Sequence, residues 1–142
     1  MSGVVLALDV GSKRIGVALS EQVDLPALPL TTIAHESREK DIAHVIALAR
    51  ERGATTIVVG YPLRLDGAPG PAAENMDRFI AALRASFDGD VVPVDERLTT
   101  AAADRKLRDT GRSASQRRAL VDRLAAVEIL ETYLARIRRG GA

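Results

Sequence analysis

Residues 4–20, VVLALDVGSKRIGVALS, decide how this chain folds. The run VVLALDV at 4–10 is apolar almost throughout and is broken by one acid, Asp9. A near-continuous apolar run of strand length predicts a central strand buried on both faces. Gly11-Ser12-Lys13-Arg14 reads as a tight turn, and IGVALS at 15–20 as a second strand, so the two form a hairpin. Pro26 and Pro29 interrupt the next stretch, and a third short strand fits around Leu30–Ile33.

From there the pattern changes to alternating strands and helices. Ser37 is a suitable N-cap for a helix over about 38–52, with Ile42, Val45, Ile46 and Leu48–Ala49 at helical spacing and Gly53 as its stop. TIVVG at 56–60 predicts a strand, and the Pro- and Gly-dense segment 61–70 a loop. A helix is predicted from Pro71 to about Phe87, with Pro71 in its first turn. VVPV at 91–94 predicts a strand whose Pro93 favours an edge or a strand end. Thr99 or Thr100 would cap a helix to about Asp109, Gly111-Arg112-Ser113 is a break, and a last helix covers about Gln116 to Arg138. Three opening strands followed by βα alternation imply an α/β fold with a mixed sheet and helices on it. No linker interrupts residues 1–142, so one domain is expected.

The chain has 142 residues with 46% hydrophobic and 27% charged, enough for a packed core and against disorder. Aromatics are only 3%, which argues against a face that stacks exposed bases. There is no Cys, so thiolate metal sites and disulfides are excluded. The N-terminal apolar run is too short for a membrane span and lacks a basic lead, so a soluble cytoplasmic protein is the expectation. The net charge of +1 conceals an asymmetry. Residues 1–103 carry ten basic and fourteen acidic side chains, whereas residues 104–142 carry ten and five. A basic C-terminal third suits a polyanion, although a solvated Arg-rich helix explains it as well.

Three acidic positions could carry chemistry. Asp9 lies inside an apolar strand, where a carboxylate needs a cation or metal to offset its desolvation. The plainer reading is a cap on the Gly-Ser turn. Asp95-Glu96 ends the last strand, and because side chains alternate along a strand only one of the two can face a site. Acids before a helix are also common without chemistry. Asp122 lies in VDRLAA on the last helix, displaced from the stripe Leu120, Leu124, Val127, Leu130, Leu134, with Val121 and Ile129 beside it. Ala125 and Ala126 at i+3 and i+4 would let that helix approach a sheet closely. Dispersed carboxylates without Cys or a usable His suit a hard cation, Mg²⁺ or Mn²⁺, and two such ions can promote phosphodiester hydrolysis. His35 and His44 read as ordinary surface or packing residues.

The blocks LALDVGSKRIGVALS, VVGYPLRLDGAPG, VDERLTT and VDRLAAVEILETYL resemble, in order and spacing, the YqgF/RuvX family of pre-16S rRNA nuclease and Holliday-junction-resolvase-like proteins. The resemblance covers nearly the whole chain. It implies an RNase H-like fold with a five-stranded mixed sheet flanked by helices, the first three strands antiparallel. It implies a metal-dependent nuclease with Asp9, Glu96 and Asp122 as catalytic and metal-binding acids and Asp95 in reserve. Lys13, Arg14, Arg97, Thr99 and Thr100 match further motif positions as substrate contacts. Asp66 is a second reserve acid, by analogy with resolvases in which the second acid follows the neighbouring strand.

Two departures stand out. The loop usually reads close to GLPLNMDG, and here Arg64 replaces an Asn, adding a cation near the presumed groove. The Lys often found before Asp122 is absent, though Arg117 and Arg118 lie close by. The implied partner is nucleic acid, structured RNA or branched DNA, bound by a monomer or homodimer with no membrane contact. Two other readings compete: a non-catalytic RNA-binding ribosome-assembly factor, and an ATP-binding protein of the actin-like type, which needs about twice this length.

Overall fold

The β1–β2 hairpin forms where the apolar runs predict it, in a computed structural model that describes residues 3–62, 70–96 and 115–140. Strand β1 (Val4–Val10) and β2 (Arg14–Ser20) pair antiparallel, and Gly11 N–H donates to the Arg14 carbonyl at 2.8 Å to close the turn. Strand β3 (Leu28–Ala34) is longer than its sequence suggests, because Pro29 is admitted to an edge strand. Helix α1 (Arg38–Arg52) begins at Ser37, whose hydroxyl accepts from Lys40 N–H, and ends at Gly53 in the left-handed region, φ 70°. Strand β4 (Ala54–Tyr61), helix α2 (Pro71–Ser86) with Pro71 in its first turn, and strand β5 (Asp90–Asp95) follow. The final helix, α3 (Ser115–Arg138), closes the order. The expected helix from Thr99 or Thr100 to Asp109 and the break at Gly111 lie outside the described residues.

The sheet order is β3-β2-β1-β4-β5. β1 is antiparallel to β2 and parallel to β4, and β4 is parallel to β5, so the sheet is mixed and the first three strands are antiparallel, as expected. Pro93 falls on β5, the outer strand, which needs no ladder bond from it on that side.

Each face of the sheet buries its own core. On one face Leu6, Leu8, Ile57 and Val59 pack with Ile42, Val45 and Ile46 of α1 and Met76, Phe79, Ile80 and Leu83 of α2. On the other, Val5, Ala7, Ala18, Val58 and Val94 pack with Ala125, Ala126, Ile129, Leu130 and Leu134 of α3. Burial of β1 on both faces is what its continuous apolar run predicts.

The stripe read on α3 needs correction. Leu120 and Leu124 are exposed at 44% and 46%, whereas Asp122 is buried and heads the inward row that continues through Ala125, Ala126, Ile129, Leu130 and Leu134. The inward face was chosen by close approach and not by hydrophobicity. Small side chains on helix and sheet let the backbones come together, and two leucines on the neighbouring face would hold them apart.

Tyr61, at the end of β4, donates its hydroxyl to Asp77 Oδ1 of α2 at 2.7 Å. That hydrogen bond, with burial and the Asp77 charge, raises the phenol above the ordinary tyrosine value of 10.0. A raised acid stabilises the fold below the unfolded value, and its contribution is lost as pH rises through the folded one. Tyr61→Phe is therefore expected to lose stability less steeply than wild type above about pH 10. Parallel urea-melt profiles for the two proteins across that range would show that the bond contributes nothing.

Candidate active site

Asp9 is 1% exposed and lies opposite Gly16 in the β1–β2 ladder. Directly opposed residues on antiparallel strands share a face. A Cβ on Gly16 would overlap the carbonyl of Asp122 and lie 2.9 Å from the Arg123 amide nitrogen. Helix α3 thus crosses the sheet at the first turn of β2, and Asp9 faces the side that carries Asp122. Alternation along β1 agrees, since Val5 and Ala7 both pack toward α3.

Asp95 and Glu96 face opposite sides of the sheet by the same alternation. Val94 packs toward α3, and Glu96, two residues on, returns to that side. A Cβ on Gly60 would lie 2.8 Å from Glu96 Oε1 and 2.7 Å from Ile129 Cδ1 of α3. Glu96 is buried at 5%. Asp95 pairs with Tyr61 in the ladder, and alternation turns it toward the α2 side. Three buried carboxylates, Asp9, Glu96 and Asp122, thus share the α3 face at one end of the sheet. Gly16 and Gly60 supply the clearance that admits them. Both glycines are legible in the sequence only as strand residues; what they avoid becomes visible once α3 is in place.

Arg14 is engaged within the protein. Its Nε donates to Asp122 Oδ2 at 2.5 Å, with the Arg side chain 25% exposed and the Asp 7%. The residue read as a substrate contact is bonded to one of the acids. Removing one partner of such a pair strands the other in low dielectric. Arg14→Ala is expected to destabilise by about 2 kcal/mol, discounted from a fully buried pair because the guanidinium is partly solvated. Urea midpoints within about 0.3 kcal/mol of wild type would show the pair to be idle.

The other predicted residues divide. Lys13 is exposed at the tip of the β1–β2 turn, close in sequence to Asp9. Arg118 lies on α3 one turn before Asp122, and its buried Nε has no acceptor among the described residues. Arg117 falls within α3, but its side chain is outside the described set. Arg64, Asp66, Arg97, Thr99 and Thr100 lie outside the described residues. Among the described residues, no three acids or histidines stand close enough together to hold a metal ion as placed. No helix among them is long and apolar enough to cross a membrane.

Residues 3–136 match the family model described as RuvX, Holliday junction resolvase. The chain belongs to the RuvX family. A relative from Chloroflexus aurantiacus, provisionally named a pre-16S rRNA nuclease, is 44% identical over 131 residues, covering 92% of this chain and 86% of its own. One from Clostridium perfringens with the same name is 40% identical over 135 residues, covering 95% and 98%. Among solved structures, Thermus thermophilus RuvC in complex with a Holliday junction substrate superposes with a TM-score of 0.59 at 13% identity, over 99% of this chain and 98% of that one. The fowlpox virus Holliday junction resolvase gives 0.53 at 12%, over 93% and 98%. At such identities the likeness shows the fold alone, and it is the RNase H-like fold that the RuvX resemblance implied.

Proposed function

We propose that this RuvX protein hydrolyses phosphodiester bonds in nucleic acid with the help of a divalent cation, with Asp9, Glu96 and Asp122 as its catalytic acids. The observation that carries the reading is the burial of these three carboxylates on one face at one end of the sheet. Packing an apolar core does not call for three carboxylates on one face, and burying a charge carries a desolvation cost. Their oxygens suit Mg²⁺ or Mn²⁺, which prefer carboxylate and water ligands. Asp9, Glu96 and Asp122 would hold the cation. It would supply positive charge that acidifies water and neutralises the scissile phosphate.

The chain's own residues set up the rest. Arg14 fixes the Asp122 carboxylate through Nε, so that its orientation does not depend on the helix alone. Lys13 and Arg118 offer donors beside the acids, suited to flanking phosphates without reading sequence. The relatives' names favour pre-16S rRNA as substrate, and the family description favours branched DNA. We take RNA first and the junction second. The chain is read as one domain over residues 1–142, in the cytoplasm.

The Arg14–Asp122 pair and the spread of the acids favour a second reading, an RNA-binding assembly factor without turnover. Labelled RNA carrying a 5′ leader and four-way DNA junctions, each with Mg²⁺ or Mn²⁺, separate the two. Cleavage of either by wild type and not by Asp9→Asn supports the enzyme. Binding with no cleavage above the variant's background leaves the assembly factor.

A further inference from the structure

The imidazole of His35, read from sequence as an ordinary surface residue, is held in a fixed orientation at the same end of the sheet as the acids, bonded to α1 on the face opposite α3. Strand β3 ends at Ala34, which pairs with Arg14, so the chain leaves the sheet beside the β1–β2 turn. His35 N–H donates to the Lys13 carbonyl at 2.9 Å, which fastens the two segments together. Its ring Nδ1 lies 2.6 Å from Asp41 Oδ2 on the first turns of α1. Asp41 is buried, and its other oxygen accepts from Glu36 N–H at 3.0 Å.

A carboxylate oxygen only accepts, so Nδ1 carries the proton and Nε2 is the nitrogen left for something else. The His35 side chain is 44% exposed, against 5% for Asp41. Helix capping does not require this arrangement, because Ser37 Oγ already accepts from Lys40 N–H at 3.2 Å. A side chain with a single donor would serve to satisfy Asp41; an imidazole brings a second nitrogen. The nearby acid Glu36 faces Lys40 Nζ at 3.7 Å. Lys13, on the turn that His35 grips, is exposed.

We propose that His35, oriented by Asp41, is a backbone-phosphate contact of the nucleic-acid substrate, working with Lys13 on the strand that runs past the acids. As an imidazolium the ring donates through both nitrogens, Nδ1 to Asp41 and Nε2 outward to a phosphate oxygen. The inference rests on the proposed nuclease reading and adds a binding group to it on a part of the fold the motifs do not reach.

The test measures binding of a labelled RNA stem-loop at about pH 6 in an Asp9→Asn background so that nothing is cut. His35→Asn keeps a donor where Nδ1 stands and removes Nε2. It is expected to melt as its parent does, to bind about tenfold more weakly, and to lower the slope of log K against log salt by about one. His35→Ala should bind as weakly as His35→Asn. A purely structural histidine gives the reverse pattern: His35→Asn indistinguishable from its parent in binding, and this outcome overturns the proposal. Weakening on RNA but not on DNA of the same sequence, with an unchanged salt slope, overturns it too, by pointing to a ribose hydroxyl. If the Asp9→Asn parent binds no nucleic acid at all, the nuclease reading itself fails and this contact with it.

Discussion

An Asp9→Asn protein is expected to cut its nucleic-acid substrate about a thousandfold more slowly than wild type while melting at the same temperature or higher. The two halves of that result come from one cause. Asp9 is a carboxylate buried at 1% exposure, where a charge carries a desolvation cost. The amide is nearly isosteric and removes that charge, so the metal-free fold loses little. The same change takes away a charged ligand of the proposed cation, whose stabilisation of the reacting phosphate amounts to several kcal/mol, and about 4 kcal/mol is about a thousandfold. A thermal-shift series adds a second readout. Wild type should gain about 2.7 kcal/mol of stability from Mn²⁺ at a hundred times its dissociation constant, and the variant much less at the same concentration. If Asp9→Asn cleaves within threefold of wild type, Asp9 leaves the catalytic set.

Gly16→Ala is the larger structural disturbance. Added core volume typically costs about 1–3 kcal/mol because side chains can adjust. Here the obstacle is the carbonyl of Asp122, which is backbone, and the helix must move as a body. A loss of about 3 kcal/mol or more is expected, read as a drop in urea midpoint. Cleavage should fall further than stability accounts for, since any lift of α3 carries Asp122 away from Asp9. Full activity in the folded fraction of Gly16→Ala would mean that the approach of helix to sheet is not what sets the site.

The same geometry explains what is legible in the sequence. The strands and helices within the described residues all appear there in order, because β1, α1 and α2 follow clean apolar periods. The site is legible as types and not as directions. Asp9 stands out as an acid in an apolar run, while the choice of Glu96 over Asp95 needs the strand's phase relative to α3. Asp122 is misplaced by periodicity because hydrophobicity picks Leu120 and Leu124 as the inward stripe. Closeness of approach, set by Gly16 on the sheet and Ala125 and Ala126 on the helix, picks a different face. Arg14 and His35 cannot be assigned locally, since their partners lie 108 and 6 residues away and depend on where β2 and β3 end.

The proposed site draws its first acid from the opening strand and its third from the closing helix, with the whole sheet made in between. A chain emerging from a ribosome therefore displays Asp9 and the β1–β2 turn long before Asp122 is synthesised. The growing polypeptide carries an exposed sheet face and no complete set of acids, so cutting ability arrives only when the last helix docks. An enzyme proposed to trim ribosomal RNA would in this way stay idle until α3 has emerged and packed on the sheet.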